Sequence, residues 1–186
     1  MVNTVLRFYS GTGENSKSTC KVDSCRMLSK KSKYGLKALL VLADDVGRGP
    51  VQASELAERQ RLPKKFLEAI LLELTRHGLL QSKKGRGGGY VLSRKPGDIT
   101  VGQVIRILEG PLALIPCVSQ TAYRRCEECI DEETCGVRLA MKEVRDATAD
   151  ILDNTTLAGL NARVRASRAR VVTRARHARR SPRLTS

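Results

Sequence analysis

The stretch Phe66–Leu92, "FLEAILLELTRHGLLQSKKGRGGGYVL", changes its periodicity partway along. Phe66, Leu67, Ile70, Leu71 and Leu74 recur at helical spacing, so the first half predicts an amphipathic helix with those five residues as its buried stripe. His77 falls in the last turn, where a cation is favourable, and Gly78 supplies the stop. Two short strand-like runs follow, around a tip in which Lys83, Lys84 and Arg86 alternate with Gly85, Gly87, Gly88 and Gly89. Glycines in such a tip allow left-handed backbone and close approach to a partner. No GK[ST] follows and no strand–loop–helix order surrounds the tip, so it is not read as a nucleotide-phosphate loop. Basic side chains on a hairpin tip suit phosphates and a narrow minor groove, the chemistry of a wing.

Working upstream, Pro63 is placed at the first turn of this helix. Before it, "QASELAERQ" puts Ala53, Leu56 and Ala57 on one face of a short helix, and "RLP" breaks it. Two short helices joined by a tight turn form a helix-turn-helix pattern, with Lys64, Lys65 and Glu68 exposed near the start of the second. Earlier still, Leu36, Leu39, Leu40 and Ala43 mark an amphipathic helix that ends at Gly47, Gly49 and Pro50. The pieces therefore predict a mainly α fold with a small β-hairpin wing.

Working downstream, Thr100 caps a helix with Gln103 three residues on, and Val101, Val104, Ile105 and Leu108 make its inner face. From Thr134 onward comes the longest periodic stretch: Val137, Ala140, Met141, Val144, Thr148 and Ile151. A long amphipathic helix at the end of a small DNA-binding domain needs a cover, either its own domain or a second copy. Two-fold pairing would set two recognition helices about one helical turn of DNA apart.

Between these helices lie Cys117, Cys126, Cys129 and Cys135. The chain has no visible secretory signal and no apolar run near the ~20 residues a membrane span needs. A reducing cytoplasm is therefore expected, and there clustered thiols are metal ligands or redox groups more often than structural disulfides. Four thiolates before a helix N-terminus suit an iron–sulfur cluster, with two or four irons. Zinc in a Cys₄ site is the nearest rival, and a reversible thiol switch is another. Glu127 and Glu128 oppose thiolate formation, and Arg124 and Arg125 favour it. A dithiol redox enzyme using Cys126 and Cys129 is the different-class alternative. No βαβ pattern surrounds that pair, and the two histidines, His77 and His177, lie away from it in sequence.

The formal net charge of +15 over 186 residues is uneven. Residues 161–186 hold nine Arg and no Asp or Glu, whereas residues 27–160 hold 21 basic and 17 acidic residues. Composition reads residues 1–26, with Cys20 and Cys25, as a disordered extension and residues 161–186 as a disordered Arg-rich tail. A winged helix-turn-helix domain is expected over 27–98, and a cysteine-loop sensor with a dimerisation helix over 99–160.

In this order of parts the chain resembles the Rrf-two superfamily of bacterial winged-helix regulators, of the IscR, NsrR and RirA type. The resemblance runs from about Met27 to Leu160 and rests on "KYGLKALL", "FLEAILLELTRHGLLQSKKGRGGGYVL", "ITVGQVIRILEG" and "ILDNTTLAGL". It implies a non-enzymatic transcription regulator that binds a palindromic operator in double-stranded DNA as a homodimer. No membrane and no small-molecule substrate are expected as partners. In many members an iron–sulfur cluster is the sensor of iron, redox or nitrosative state. By order and spacing Cys117, Cys129 and Cys135 match the three family cysteines, and Cys126 is extra. The IscR branch has a histidine ligand three residues after the last cysteine, where this chain has Arg138. The fourth ligand expected is Cys126 or a residue of the partner chain. The wing and helix-turn-helix residues Lys64, Lys65, Glu68, Lys83, Lys84 and Arg86 are the expected DNA contacts, and Val137, Met141, Val144 and Ile151 the expected dimer interface.

Overall fold

The structure, a computed structural model, describes residues 28–180, with side chains as far as residue 173. The extension through Arg26, with Cys20 and Cys25, lies outside the described residues.

The helix α1 spans Lys30–Asp44, and Ser29 caps it by accepting from the Ser32 amide at 3.3 Å. Its most buried face is Ser32, Gly35, Ala38, Leu39 and Leu42, with Leu36, Leu40 and Ala43 half-buried beside it. Gly35 is the closest approach to α4: a Cβ there would stand 2.5 Å from the Leu108 side chain. Next come α2, Ala53–Gln60, and α3, Lys64–Arg76. Arg61 joins them in the left-handed region at φ 52°, and Pro63 is the N-cap of α3. Of the stripe expected on α3, Leu67, Ile70, Leu71 and Leu74 are buried. Phe66 departs from it: at 42 % exposure it lies outside the core, edge-on to Tyr34 with ring centroids 5.8 Å apart. Its position one residue before Leu67 turns it off the stripe's centre line, toward α1.

Strand β1, Leu80–Lys83, pairs antiparallel with β2, Gly89–Leu92, and Lys83 lies opposite Gly89. Val51 adds an isolated bridge to Tyr90, with N–O distances of 2.8 and 3.1 Å. That bridge accounts for Gly89, where a Cβ would lie 2.4 Å from the Val51 carbonyl oxygen. A 3-10 turn, Pro96–Asp98, leads to α4, Val101–Glu109. Thr100 caps α4 by accepting from the Gln103 amide at 3.2 Å, and Val101, Val104, Ile105 and Leu108 are buried as expected.

The core is formed by leucines and isoleucines from every part of this unit: Leu39, Leu56, Leu67, Ile70, Leu71, Leu74, Leu79, Leu80, Ile99 and Leu108. Leu157, the first residue of α6, is fully buried among them. The longest helices follow the cysteine loop: α5, Gly136–Asp153, and α6, Leu157–Arg180. Their corner is pinned to the start of α4 by Val101 N donating to Thr155 O at 2.8 Å and Leu157 N to Ile99 O at 3.0 Å.

The disorder that composition suggests from residue 161 is not what the structure shows, since helix runs to Arg180. The cause is local. Thr156 accepts from the Gly159 amide at 3.1 Å, Leu157 sits in the core, and Asn161 donates from Nδ2 to the Leu40 carbonyl at 2.9 Å. These anchors supply the nucleus that a charged segment lacks alone.

Candidate functional site: a basic wing, an unpartnered helix face and a thiol loop

Three features that bear function converge on this scaffold. The first is basic. Lys64 and Lys65 open α3 and are exposed, because the hydrophobic stripe that begins at Leu67 turns them to the opposite face. Lys64 Nζ lies 3.9 Å from Glu68 Oε1, an exposed i,i+4 pair too weak to immobilise either side chain. Lys83, Lys84 and Arg86 are exposed on the wing, where Gly85 and Gly87 take φ of 100° and 83°. The tip is tight as well as permissive: a Cβ on Gly88 would lie 2.3 Å from the Lys83 carbonyl oxygen.

The second feature is α5. None of its residues is buried. Arg138, Met141, Arg145, Thr148, Ala149 and Leu152 are half-buried, whereas Val137, Val144 and Ile151 are exposed at 64, 40 and 64 %. The exposed three are seven residues apart, the spacing of a coiled-coil seam. Met141, grouped with them in the sequence reading, is half-buried on the neighbouring face.

The third feature is the loop between α4 and α5. Cys117 sits in a 3-10 turn, Pro116–Val118, and is buried, whereas Cys126, Cys129 and Cys135 are half-buried; all four thiols are free. Cys135 is the N-cap of α5, one position ahead of the first turn in which the sequence places it. Cys126 Sγ lies 3.8 Å from Cys117 Sγ. Hydrogen bonding to Cys117 pushes the Cys126 thiol up, and desolvation, Glu128 and Cys135 act the same way. Desolvation raises Cys129, reinforced by Cys135 and Glu132 and opposed by Arg125. Cys117 and Cys126 thus meet as a pair, and Cys135 raises both Cys126 and Cys129. Among the described residues no group of three or more His, Cys, Asp or Glu side chains is arranged to hold a single metal ion.

Sequence reasoning missed the residue that organises this loop, Glu132. It accepts from Tyr123 Oη at 2.5 Å, and its carboxylate lies 3.5 Å from Arg125 Nε and 3.7 Å from Arg138 Nε. Arg138 Nη1 also donates to the Glu132 carbonyl at 3.4 Å. One carboxylate among several acidic neighbours gives no periodic signal, so only the folded loop singles it out. Asp131 completes the lead into α5 by accepting from the amides of Glu133 and Thr134, both at 3.1 Å. Among the described residues no helix is long and apolar enough to cross a membrane.

The chain is 42 % identical over 134 residues to an rrf2-like HTH-type transcriptional regulator of Rhodobacter capsulatus, covering 70 % of this chain and 89 % of that protein. Its fold is similar to CymR, the global cysteine regulator of B. subtilis, at a TM-score of 0.62 and 33 % identity, covering 74 % of this chain and 97 % of that one. It is also similar to T. potens IscR, at a TM-score of 0.60 and 31 % identity, covering 75 % and 89 %. Residues 28–163 match the Rrf2 family, described as iron-dependent transcriptional regulator. With its helix-turn-helix, wing and long final helices in that order, the chain belongs to the Rrf2 family of winged-helix DNA-binding transcriptional regulators.

Proposed function

We propose that the chain is a homodimeric regulator that binds a palindromic operator and reports cellular redox or iron state through its cysteine loop. Residues 27–98 are the DNA-binding half, and residues 99–160 carry sensing and dimerisation. The observation that carries this reading is the gathering of four free thiols in the loop that leads into α5, with Cys117 and Cys126 3.8 Å apart. Four cysteines in one loop are the donor set of a Cys₄ iron–sulfur cluster. Such a cluster, when bound, supplies a redox-active and oxidant-labile group.

The chain's own residues do the rest. Cys135, as N-cap, ties the loop to α5. Glu132 holds Arg125, Arg138 and Tyr123 around the thiols, so a change in the loop is felt by the first turn of α5 through Arg138. The exposed Val137–Val144–Ile151 seam of α5 would set the separation of two recognition helices. Bias at the loop therefore reaches DNA affinity as a coupling between two sites. Lys64, Lys65 and Glu68 would face base edges, and Lys83, Lys84 and Arg86 the sugar–phosphate backbone.

The short Cys117–Cys126 distance favours one second reading, a thiol switch without metal. There the two thiols would form a disulfide while a peroxide is reduced to two waters, and the sulfurs would close to about 2.05 Å. Anaerobic purification followed by iron, sulfide and zinc assay, with a DNA titration beside it, separates the readings. Iron with matching sulfide supports the cluster. Metal-free protein whose DNA affinity changes on peroxide treatment supports the switch, and stoichiometric zinc overturns both.

A further inference from the structure

The match to the Rrf2 family ends at residue 163, but α6 continues to Arg180. Among the described residues the helix is anchored at its start. Leu157 and Asn161 are buried, and Arg165 Nη1 reaches Asp44 Oδ1 at 2.9 Å. From Ala166 to Thr173 every residue is exposed. Arg163, Arg168 and Arg170 make no ion pair among the described residues, and residues 161–186 contain no Asp, Glu or Lys. An unpacked helix with like charges a few residues apart is poorly stable in water unless counter-charge is supplied.

We propose that Arg163, Arg168 and Arg170 on the exposed stretch of α6 form a second, sequence-independent contact to double-stranded DNA, gripping phosphates beside the site read by α3 and the wing. The proposal rests on the family's DNA binding and extends it to a segment beyond the family match. The charge densities correspond. Arg163, Arg168 and Arg170 lie within roughly 11 Å of helix at about 1.5 Å per residue. Duplex DNA carries one phosphate charge per about 1.7 Å of its axis. The residue type also fits, because the planar guanidinium takes phosphate oxygens bidentately where an ammonium offers only a point charge.

The placement is suitable as well. The α6 helix packs on α1 and on the Pro96–Asp98 turn that leads out of the wing, so its free half springs from the DNA-binding unit itself. Arg163 and Arg170, seven residues apart, share one side of the helix, and Arg168 stands across a short strip formed by Val164, Val171 and Val172. The strip is too short for a lipid anchor, and residues 161–186 contain no aromatic residue. Pairing of two such helices would bring like-charged arginines together with no Asp or Glu in residues 161–186 to offset them, which disfavours a second copy as the occupant.

The test compares the full chain with its Arg163→Gln/Arg168→Gln/Arg170→Gln variant and the Lys counterpart at the same positions. The anchors Leu157, Asn161 and Arg165 stay untouched, and circular dichroism confirms retained helix. Binding to a random-sequence duplex is measured across salt concentrations. The Gln variant is expected to lose at least tenfold in affinity at moderate salt, and its log–log salt slope should fall by about three per chain. The Lys variant should keep most of the slope. A Gln variant with unchanged slope and affinity overturns the proposal. So does an arginine requirement seen with vesicles of anionic phospholipid and not with the duplex. A wild-type chain that binds no duplex at any salt would instead sink the DNA-binding reading on which the proposal rests.

Discussion

The guanidinium of Arg106, on α4, holds both carboxylate oxygens of Asp153, the last residue of α5, at 2.5 and 2.8 Å. Gly102 makes the pair possible, since a Cβ there would lie 2.0 Å from Asp153 Oδ1. With the backbone bonds at Thr155 and Leu157, this pair fixes the angle at which α5 leaves the DNA-binding half. It joins the end of α5 to α4.

Asp153→Asn should therefore cost little stability and more regulation. The carboxylate is 44 % exposed, so the pair is worth about 0.5–1 kcal/mol. Hydrogen bonding to Arg106 holds the Asp153 carboxyl below the usual carboxylate range. A depressed folded-state pKa gives stability that is complete above the unfolded value of about 3.9 and fades as pH falls through the folded one. Urea melts between about pH 5 and 2 should show the wild-type advantage over Asp153→Asn vanishing at the acid end. An advantage that persists there would mean the pair does not stabilise the joint by charge.

The α5 seam predicts the oligomeric state. Val144→Glu and Ile151→Glu place carboxylates where two copies would meet, and burying them unpaired should split the dimer. Both positions are exposed within the chain, so circular dichroism and the melting temperature of the DNA-binding half should change little. Sedimentation velocity reads the outcome, and wild-type protein running as a monomer at micromolar concentration would end the dimer proposal.

On DNA, the wing and α3 should separate. Lys84 is exposed on the wing tip, proposed above to meet the sugar–phosphate backbone, so Lys84→Ala should weaken every sequence alike and reduce the salt slope by about one. Glu68 carries an acceptor suited to cytosine and repels phosphate, so Glu68→Ala should relax specificity at particular base pairs. Competition titrations against a set of singly substituted operators distinguish the two. Equal loss across all sequences for Glu68→Ala would remove its reading role.

Much of this architecture was legible from periodicity, because a two-layer helical core imposes spacing on its leucines. The stripes of α3 and α4, the Thr100 cap and the switch to strand at Leu80 all follow from that constraint. Phe66 was misassigned because hydrophobic spacing alone cannot tell a stripe's centre from its flank. The helical course of residues 161–180 was hidden because composition measures the mean tendency of a segment. Its fate depends on the anchors at Leu157 and Asn161. The cysteine cluster was visible in the sequence, but the approach of Cys126 to Cys117 depends on loop closure, which leaves no periodic trace.

The cysteines give the final prediction. If the four thiols hold a cluster, Cys117→Ser, Cys129→Ser and Cys135→Ser should each abolish or strongly destabilise it, read by loss of iron, sulfide and visible absorbance. Cys126→Ser decides the fourth ligand: loss of the cluster makes it one, and retention points to a partner-chain residue. Glu132→Gln should leave all four thiols in place yet weaken cluster retention severalfold, because Arg125 and Arg138 lose the carboxylate that positions them. The metal-free switch makes a different forecast. There Cys117→Ser and Cys126→Ser alone should abolish the peroxide response, while Cys129→Ser keeps it, since only the first two sulfurs stand 3.8 Å apart. Thiol alkylation followed by mass mapping reads that outcome directly. A Cys117–Cys126 crosslink in aerobically prepared protein that never contained iron would replace the cluster reading with the switch.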